Sequence, residues 1–242
     1  MKLCNFLFIL VIFSLCITYP AFLLGSTYSD QQGGDVSFRL LGGLNLAKIR
    51  YHWGDPTMAA EEAEMDPYHE YRMGMCAGFG LETSGRVGFM VELLYHQKGQ
   101  KVDFDDGVDS IQSTIAIHEM SLPVLLKLNL SRNTGPYLMA GGEIGFVLTA
   151  KERHEIYTDL GDDEHEVHYS KGSENITEKL KRLNYGMVLG AGFKFRTTGL
   201  LFFTEVRYHY GLADLSKNEI KAHPDDKMRT DAIVFVLGIS TL

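Results

Sequence analysis

Residues 71–82 read YRMGMCAGFGLE, and no other stretch of the chain alternates so regularly. Every odd position, from Tyr71 to Leu81, is apolar or aromatic, whereas the even positions hold glycine, Cys76 and the charged residues Arg72 and Glu82. Successive side chains of a β-strand point to opposite faces of the sheet. The segment therefore predicts a strand with one face against an apolar medium and the other against a polar interior.

Seven further runs follow the same alternation along the chain. In one of them Val87, Phe89 and Val91 alternate with Gly88 and Glu92. The eight predicted strands span residues 36–49, 71–82, 87–98, 113–128, 137–151, 183–196, 200–211 and 230–240. Pro123 lies inside the fourth run and lacks a backbone donor, so we expect a bulge or a local break in pairing there. The pattern as a whole predicts an all-β protein.

The connections between these runs alternate in length. Short turns occupy residues 83–86 and 131–136, whereas long acidic connections occupy residues 52–70, 99–112, 152–182 and 212–229. Barrels of the outer-membrane type have short turns at one end and extended loops at the other. The sequence therefore predicts an eight-stranded antiparallel up-and-down transmembrane β-barrel, with long external loops, short periplasmic turns and both termini periplasmic.

The N-terminus carries the signature of a secretory signal. Lys2 precedes the apolar run FLFILVIFSLCI at residues 6–17, and the small residues Gly25 and Ser26 follow. We predict a signal peptide over residues 1–26 and a barrel domain over residues 27–242. An uncleaved anchor is a weaker alternative, because the run is shorter than the ~20 residues that span a bilayer. Lipid modification of Cys16 is weaker still, since Leu15 precedes it.

Loss of the predicted leader determines the charge and the thiol content of the mature chain. Removing Lys2 changes the formal net charge from −8 to −9. Nucleic acid is excluded as a partner, because its binding requires a basic face. Cys4 and Cys16 leave with the leader, so Cys76 remains as the single cysteine and no intramolecular disulfide is predicted.

Parity places a set of charged side chains on the lumenal face of the predicted barrel. These residues are Arg39, Arg72, Glu92, Glu119, Lys127, Glu143, Lys194, Glu205 and Arg207. An eight-stranded barrel is just wide enough for its own side chains to fill. An isolated ion in so narrow a space is costly, so we expect these charges to pair across the lumen as a structural network. A proton relay and a narrow polar channel are the alternatives.

Other chemistry has weaker support, and we predict no catalytic site, resident metal or cofactor. The acidic segment DFDDGVD at residues 103–109 lacks the spacing of a calcium loop, and His165 and His168 lie in a long acidic connection. A lipid-hydrolysing triad built from His118 with Ser113 or Ser121 is disfavoured, because parity puts His118 and Ser121 on opposite faces of one strand.

Several segments resemble the PorT-like outer-membrane β-barrel family of the Bacteroidetes. The segments, in chain order, are GGLNLAKI (42–49), VELLYHQKG (91–99), HEMSLPVLLKLNL (118–130), GPYLMAGGEIGFVL (135–148), YGMVLGAGFKF (185–195), TEVRYHYGLADL (204–215) and FVLGI (235–239). The likeness extends over the predicted mature chain. It implies an integral outer-membrane barrel embedded in outer-membrane lipid and inserted by the barrel-assembly machinery, although the chain ends Ser240, Thr241, Leu242 where such barrels commonly end on an aromatic residue.

The resemblance also sets the expected function. We expect a non-enzymatic structural or accessory component of the envelope that interacts through its loops, since one branch of the family takes part in a protein-secretion apparatus. An envelope or secretion-complex protein is thus the expected partner. The alternatives are a barrel enzyme acting on lipid or lipopolysaccharide, a narrow small-solute channel, and a soluble ligand-binding barrel.

Overall fold

The computed structural model describes residues 36–52, 68–105, 109–131, 134–159, 167–197, 200–217 and 225–241. The predicted signal peptide lies outside the described residues. Within the ranges given, the chain forms nine strands: β1 (Val36–His52), β2 (Tyr68–Thr83), β3 (Val87–Asp105), β4 (Asp109–Asn129), β5 (Gly135–Asp159), β6 (Val167–Asn175), β7 (Leu183–Arg196), β8 (Leu200–Gly211) and β9 (Lys227–Thr241). None of the described residues forms a helix long and apolar enough to cross a membrane.

Eight of these strands close into a ring. β1 pairs antiparallel with both β2 and β9, and the order continues through β3 and β4 to β5 on one side and through β8 and β7 to β5 on the other. The first half of β5 pairs with β7, and its second half pairs with β6. The predicted eight-stranded antiparallel barrel is confirmed, with β6 as an addition outside the ring.

The predicted parity of the two faces is also confirmed. On β1, Phe38, Leu40 and Leu44 are exposed on the outside, whereas Arg39 and Asn45 are fully buried inside. The same outward exposure holds for Met73, Met75, Phe79, Phe89, Val124, Leu126, Leu138, Ile144, Met187, Leu189, Phe193, Val206, Phe235 and Leu237. The barrel therefore presents an apolar exterior and buries its charged side chains in the lumen.

The short turns join the strands at one end, here called the turn end. In the predicted turn at residues 83–86, Gly85 has φ +133°, a backbone angle that side-chain-bearing residues rarely adopt. Arg39 pairs with Ser240, so the first and last strands begin and end at this same end. The opposite end, where β3 and β4 or β5 and β6 meet, is here called the hairpin end.

Two of the four predicted long loops are wrong in extent. β3 and β4 pair in register as far as Asp105 and Ser110, where a loop over residues 99–112 was expected. The expected loop over residues 152–182 holds the end of β5 and the whole of β6, with Tyr157 paired to Tyr169. Charged and polar residues made these segments resemble loops. A strand that leaves the membrane has water on both faces, so it needs no apolar row.

The proline in β4 interrupts pairing on one side only. Val91 pairs with Val124 and Leu94 with Ser121 in an unchanged register, but the two pairs between them are missing. On the other side Pro123 lies opposite Glu143 in a continuous ladder. The predicted local break at Pro123 is therefore confirmed, and the bulge between β4 and β5 lies instead between His118 and Glu119.

A lumen filled by ions as the candidate functional site

The lumenal row of the barrel holds two charged clusters. The first, here called the ionic plug, consists of Arg39, Glu82, Glu92, Lys127, Glu205 and Arg207. The second, here called the histidine cluster, consists of His96, Lys98, Glu119, Glu143 and His209. Strand alternation turns all of these side chains inward, and the two clusters follow one another along the barrel axis from the turn end toward the hairpin end.

Two arginines on opposite sides of β9 connect the ionic plug. Arg39 donates to Glu82 at 2.8 Å and to Glu205 at 2.5 Å. Arg207 donates to Glu92 at 2.5 and 3.0 Å and also to Glu205. Both arginines are fully buried, so their charges interact in a medium that screens them little.

Lys127 completes the plug from β4. Its ammonium lies 3.0 Å from a carboxylate oxygen of Glu82, which is the same group that receives Arg39. The plug thus contains three cations, Arg39, Lys127 and Arg207, and three carboxylates, Glu82, Glu92 and Glu205. Its charges balance, as an ion cluster in a poorly hydrated interior requires.

Aromatic rings and glycines fit around the plug. Tyr137 donates its hydroxyl to Glu205 at 2.5 Å, and its ring lies 4.1 Å from the Lys127 ammonium. A Cβ on Gly192 would lie 2.5 Å from that ring, and a Cβ on Gly80 would lie 2.6 Å from Cγ of Glu92. The glycines of the lumenal row therefore make room for the long side chains of neighbouring strands, as the sequence predicts.

The histidine cluster has fewer bonds for its polar groups. Lys98 lies 2.8 Å from Glu119 and 3.6 Å from Glu143. Glu143 also lies 2.9 Å from Nδ1 of His209. Within the described part of the chain, Nε2 of His209 and both ring nitrogens of His96 have no hydrogen-bond partner, although both rings are buried.

An apolar cap covers the hairpin end of the lumen. It consists of the buried side chains of Ile49, Ile117, Val147, Ala150, Ile176, Leu180, Leu215 and Met228. Ile176 and Leu180 come from the segment after β6, and Leu215 comes from the segment after β8. The hydroxyl of Thr177 fixes the first segment, because it accepts from the backbone N–H of Ala150 at 2.8 Å. Sequence parity predicts the strands of this cap but not the two segments that fold in.

Seven of the nine predicted lumenal charges enter one of the two clusters. The two exceptions are Arg72, which donates to the backbone carbonyls of Gln97 and Lys98, and Lys194, which is buried but has no salt bridge among the described residues. The register between β2 and β3 shifts between Tyr71 and Cys76, and this shift leaves free the backbone carbonyls that Arg72 binds. Parity gives the face of a side chain and not its level along the axis, so it could not separate these two residues.

Sequence reasoning missed Glu82, Lys98, His96 and His209 as members of the network. All four lie on rows that parity turns inward, so the signal for them was present. The missing information was which of them meet across the lumen.

Within the described ranges, neither Ser113 nor Ser121 forms a catalytic triad with His118. Ser121 is buried in the lumen, whereas His118 lies on the outer face, where its Nδ1 is 2.5 Å from the Tyr95 hydroxyl. Ser113 donates to Glu152 at 3.2 Å, and His154 approaches the same carboxylate at 3.7 Å. A nucleophilic serine needs its hydroxyl bonded to the imidazole, and here the hydroxyl is bonded to the acid.

A family model agrees with this architecture over most of the chain. The model described as outer membrane protein beta-barrel domain matches residues 28–217. The chain belongs to this family. As a member of the outer membrane protein beta-barrel domain family it is an integral protein of an outer membrane, and its exposed apolar rows face lipid. No curated protein matches the sequence.

Several solved barrels are similar to this family member in structure. Ail, the attachment invasion locus protein of Yersinia pestis, is 10% identical with a TM-score of 0.36, and the match covers 85% of this chain and 99% of that one. OprG from Pseudomonas aeruginosa is 12% identical with a TM-score of 0.42, covering 86% and 96%. The outer membrane protease OmpT from Escherichia coli is 9% identical with a TM-score of 0.41, covering 89% and 99%.

Proposed function

We propose that this barrel is a non-enzymatic, non-conducting accessory component of the cell envelope, of the PorT-like kind, that engages a partner protein through its hairpin end. The observation that carries the proposal is the balanced ionic plug. Arg39 and Arg207 are fully buried and each contacts two carboxylates or more, so the plug fills the lumen with fixed side chains. A conducting pore needs a continuous path of water instead.

The apolar cap supports the same proposal from the other end of the lumen. Leu180 and Leu215 are buried among strand residues, and a Leu180–Ser216 bridge and the Lys181–Leu215 backbone bond hold their segments together. An ion passing the cap would have to leave water for an apolar layer. Passage is costly there because an ion loses hydration that the cap does not replace.

A projecting wall at the hairpin end is the proposed interaction surface. It consists of the ends of β3 (residues 99–105), β4 (109–116), β5 (151–159) and the whole of β6. β5 has 25 residues whereas β8 on the far side has 12, so among the described residues the wall rises on the β5 side of the barrel. Residues 169–175 are exposed on β6, including Tyr169, Lys171 and Glu174. A water-exposed sheet with charged and aromatic side chains suits recognition of a protein.

The proposed orientation places the hairpin end outside the cell and the turn end in the periplasm. In bacterial barrels the short turns are periplasmic and the long connections are external. Both described ends of the chain lie at the turn end, so both termini are then periplasmic. The partner is an external or outer-membrane protein, such as a component of the secretion apparatus that the PorT-like resemblance implies.

Conductance across planar bilayers tests the closed lumen. The purified barrel should give no stepwise current. An Arg39→Ala/Arg207→Ala variant that still inserts should also give no current, because the apolar cap remains. Regular open-channel steps from the unsubstituted barrel would contradict the proposal.

Crosslinking in native envelopes tests the projecting wall. A Cβ added at Gly172 on β6 meets nothing within 4 Å, so Gly172→Cys offers an attachment point for a photoreactive maleimide without disturbing the strand. Ser84→Cys, exposed in a turn at the other end, is the matched control, and Cys76 is buried. We expect a protein adduct from position 172 and none from position 84. Adducts from neither position, or from position 84 alone, would overturn the proposed surface.

A further inference from the structure

Three potential metal ligands meet inside the histidine cluster. One donor atom each from His96, Glu143 and His209 lies within 4.8 Å of the other two, and all three residues are buried. They come from three different strands of the barrel, β3, β5 and β8. The closed sheet fixes their positions, so the set does not depend on a mobile loop.

The hydrogen bonding of the cluster leaves nitrogen donors free. His209 and Glu143 are joined through Nδ1 at 2.9 Å, which leaves Nε2 of His209 unpartnered. Both nitrogens of His96 are unpartnered, and its ring is fully buried at 5.1 Å from the ring of His209. A buried polar group without a partner carries a desolvation penalty, so three such nitrogens in one place require an explanation.

The charge of the cluster favours a cation. Glu119 and Glu143 carry two negative charges, and Lys98 supplies one positive charge. With neutral imidazoles the cluster therefore holds one negative charge in excess, whereas the ionic plug is balanced. An uncompensated charge in this buried position is expensive. A bound cation removes the excess and gives one nitrogen of His96 a partner.

We propose that His96, His209 and Glu143 form a lumenal binding site for one divalent transition-metal ion, with Zn²⁺ as the best-fitting candidate. Imidazole with carboxylate suits zinc and related ions. Ligand atoms around tetrahedral zinc lie about 3.4 Å apart, and the three donor atoms, which lie within 4.8 Å of one another, reach that spacing by small side-chain movements. The role is structural, because the site lies between the plug and the cap among buried residues.

The experiment compares metal binding by the unsubstituted barrel and a His96→Leu variant. Each protein is folded into detergent micelles with Zn²⁺, freed of excess ion, and analysed for metal content. Co²⁺ replaces Zn²⁺ in a parallel sample, since its visible spectrum reports the donor set. We expect one metal ion per unsubstituted chain and none in His96→Leu. Glu143→Gln, which keeps the shape of the side chain but replaces a charged ligand by a neutral one, should bind at least about 10-fold more weakly.

Two controls separate this site from chance binding elsewhere on the chain. His154→Leu removes a histidine of the projecting wall, and a double variant His165→Gln/His168→Gln removes His168 of β6 together with His165. Both should retain one ion per chain and the same cobalt spectrum. Equal binding by His96→Leu would mean an adventitious ion only, and absence of binding by the unsubstituted barrel would mean that the three side chains do not form a metal site. Either result overturns the proposal.

Discussion

The ionic plug and the histidine cluster occupy the same lumen but differ in how completely their groups are paired. In the plug, each of the three carboxylates contacts two cations, as Glu82 does with Arg39 and Lys127. In the histidine cluster, carboxylates outnumber the one cation and ring nitrogens remain free. This difference indicates that the ionic plug serves as a structural element. The histidine cluster, by contrast, has ring nitrogens that can still bind a ligand. Four substitutions test this contrast.

The largest effect is expected from Arg207→Met in the plug. This change leaves Glu92 without its bidentate partner and removes one of the two arginines on Glu205. Breaking a buried ion pair on one side costs about 3–5 kcal/mol, because the plug is left with one uncompensated buried negative charge. The free energy of unfolding in urea, followed by heat modifiability on gels, measures the loss. Lys181→Met, which removes an exposed cation, is the control, and an equal effect of the two changes would contradict the plug's structural role.

A pair of matched substitutions compares the two clusters directly. Glu82→Gln removes the only carboxylate that contacts Lys127 among the described residues, so we expect a loss of about 3 kcal/mol. Glu143→Gln removes charge from a cluster with an excess of carboxylates, and Lys98 keeps Glu119, so the loss should stay below about 1 kcal/mol. Both are measured in metal-free buffer. Equal losses would show that charge balance does not distinguish the clusters.

A smaller effect is expected when an unpartnered ring is replaced by an apolar side chain. His96→Leu removes two buried nitrogens that have no partner among the described residues. Replacing such a group by an apolar one is nearly neutral or stabilising, so in the presence of a chelator the unfolding free energy should be unchanged or higher by up to about 1 kcal/mol. A clear loss of stability without metal would mean that His96 has a structural bond of its own.

The smallest effect concerns an ion pair in the projecting wall. Glu155 accepts from Lys171 at 2.5 Å, and this hydrogen bond lowers the pKa of Glu155 and raises the pKa of Lys171. A lowered carboxyl pKa gives stability that is present above its unfolded value and is lost as the pH falls through the folded value. The protection of the β5–β6 hairpin against hydrogen exchange, relative to the intrinsic rate at each pH, should therefore fall slightly in acid, and Lys171→Ala should abolish that dependence. Global unfolding should not change.

The sequence predicted the faces of the barrel and most of the strands, because both follow from a two-residue period. The exposed Phe89 and the buried Glu92 differ by parity alone, and parity can be read from the chain. The contacts across the lumen could not be predicted in this way. Arg207 reaches Glu92 across 115 positions of sequence, and that contact depends on the stagger of the strands around the ring. The full length of β3 to β6 could not be predicted for another reason. Strand segments outside lipid lack the row of apolar residues from which the strands were predicted.

The sequence separation of the plug's contacts has a consequence for biogenesis. Arg39 on the first strand meets Glu205 on β8, 166 positions later, and β9 lies between their strands in the ring. Neither residue can find the other until the seam between the first and last strands has formed. In a barrel that is arrested before that step, the charged side chains lack their partners beside hydrocarbon. The energetic cost of these unpaired charges is removed only when the barrel closes. The ion pairs of the plug therefore stabilise the closed barrel relative to any precursor in which β1 and β9 are still unpaired.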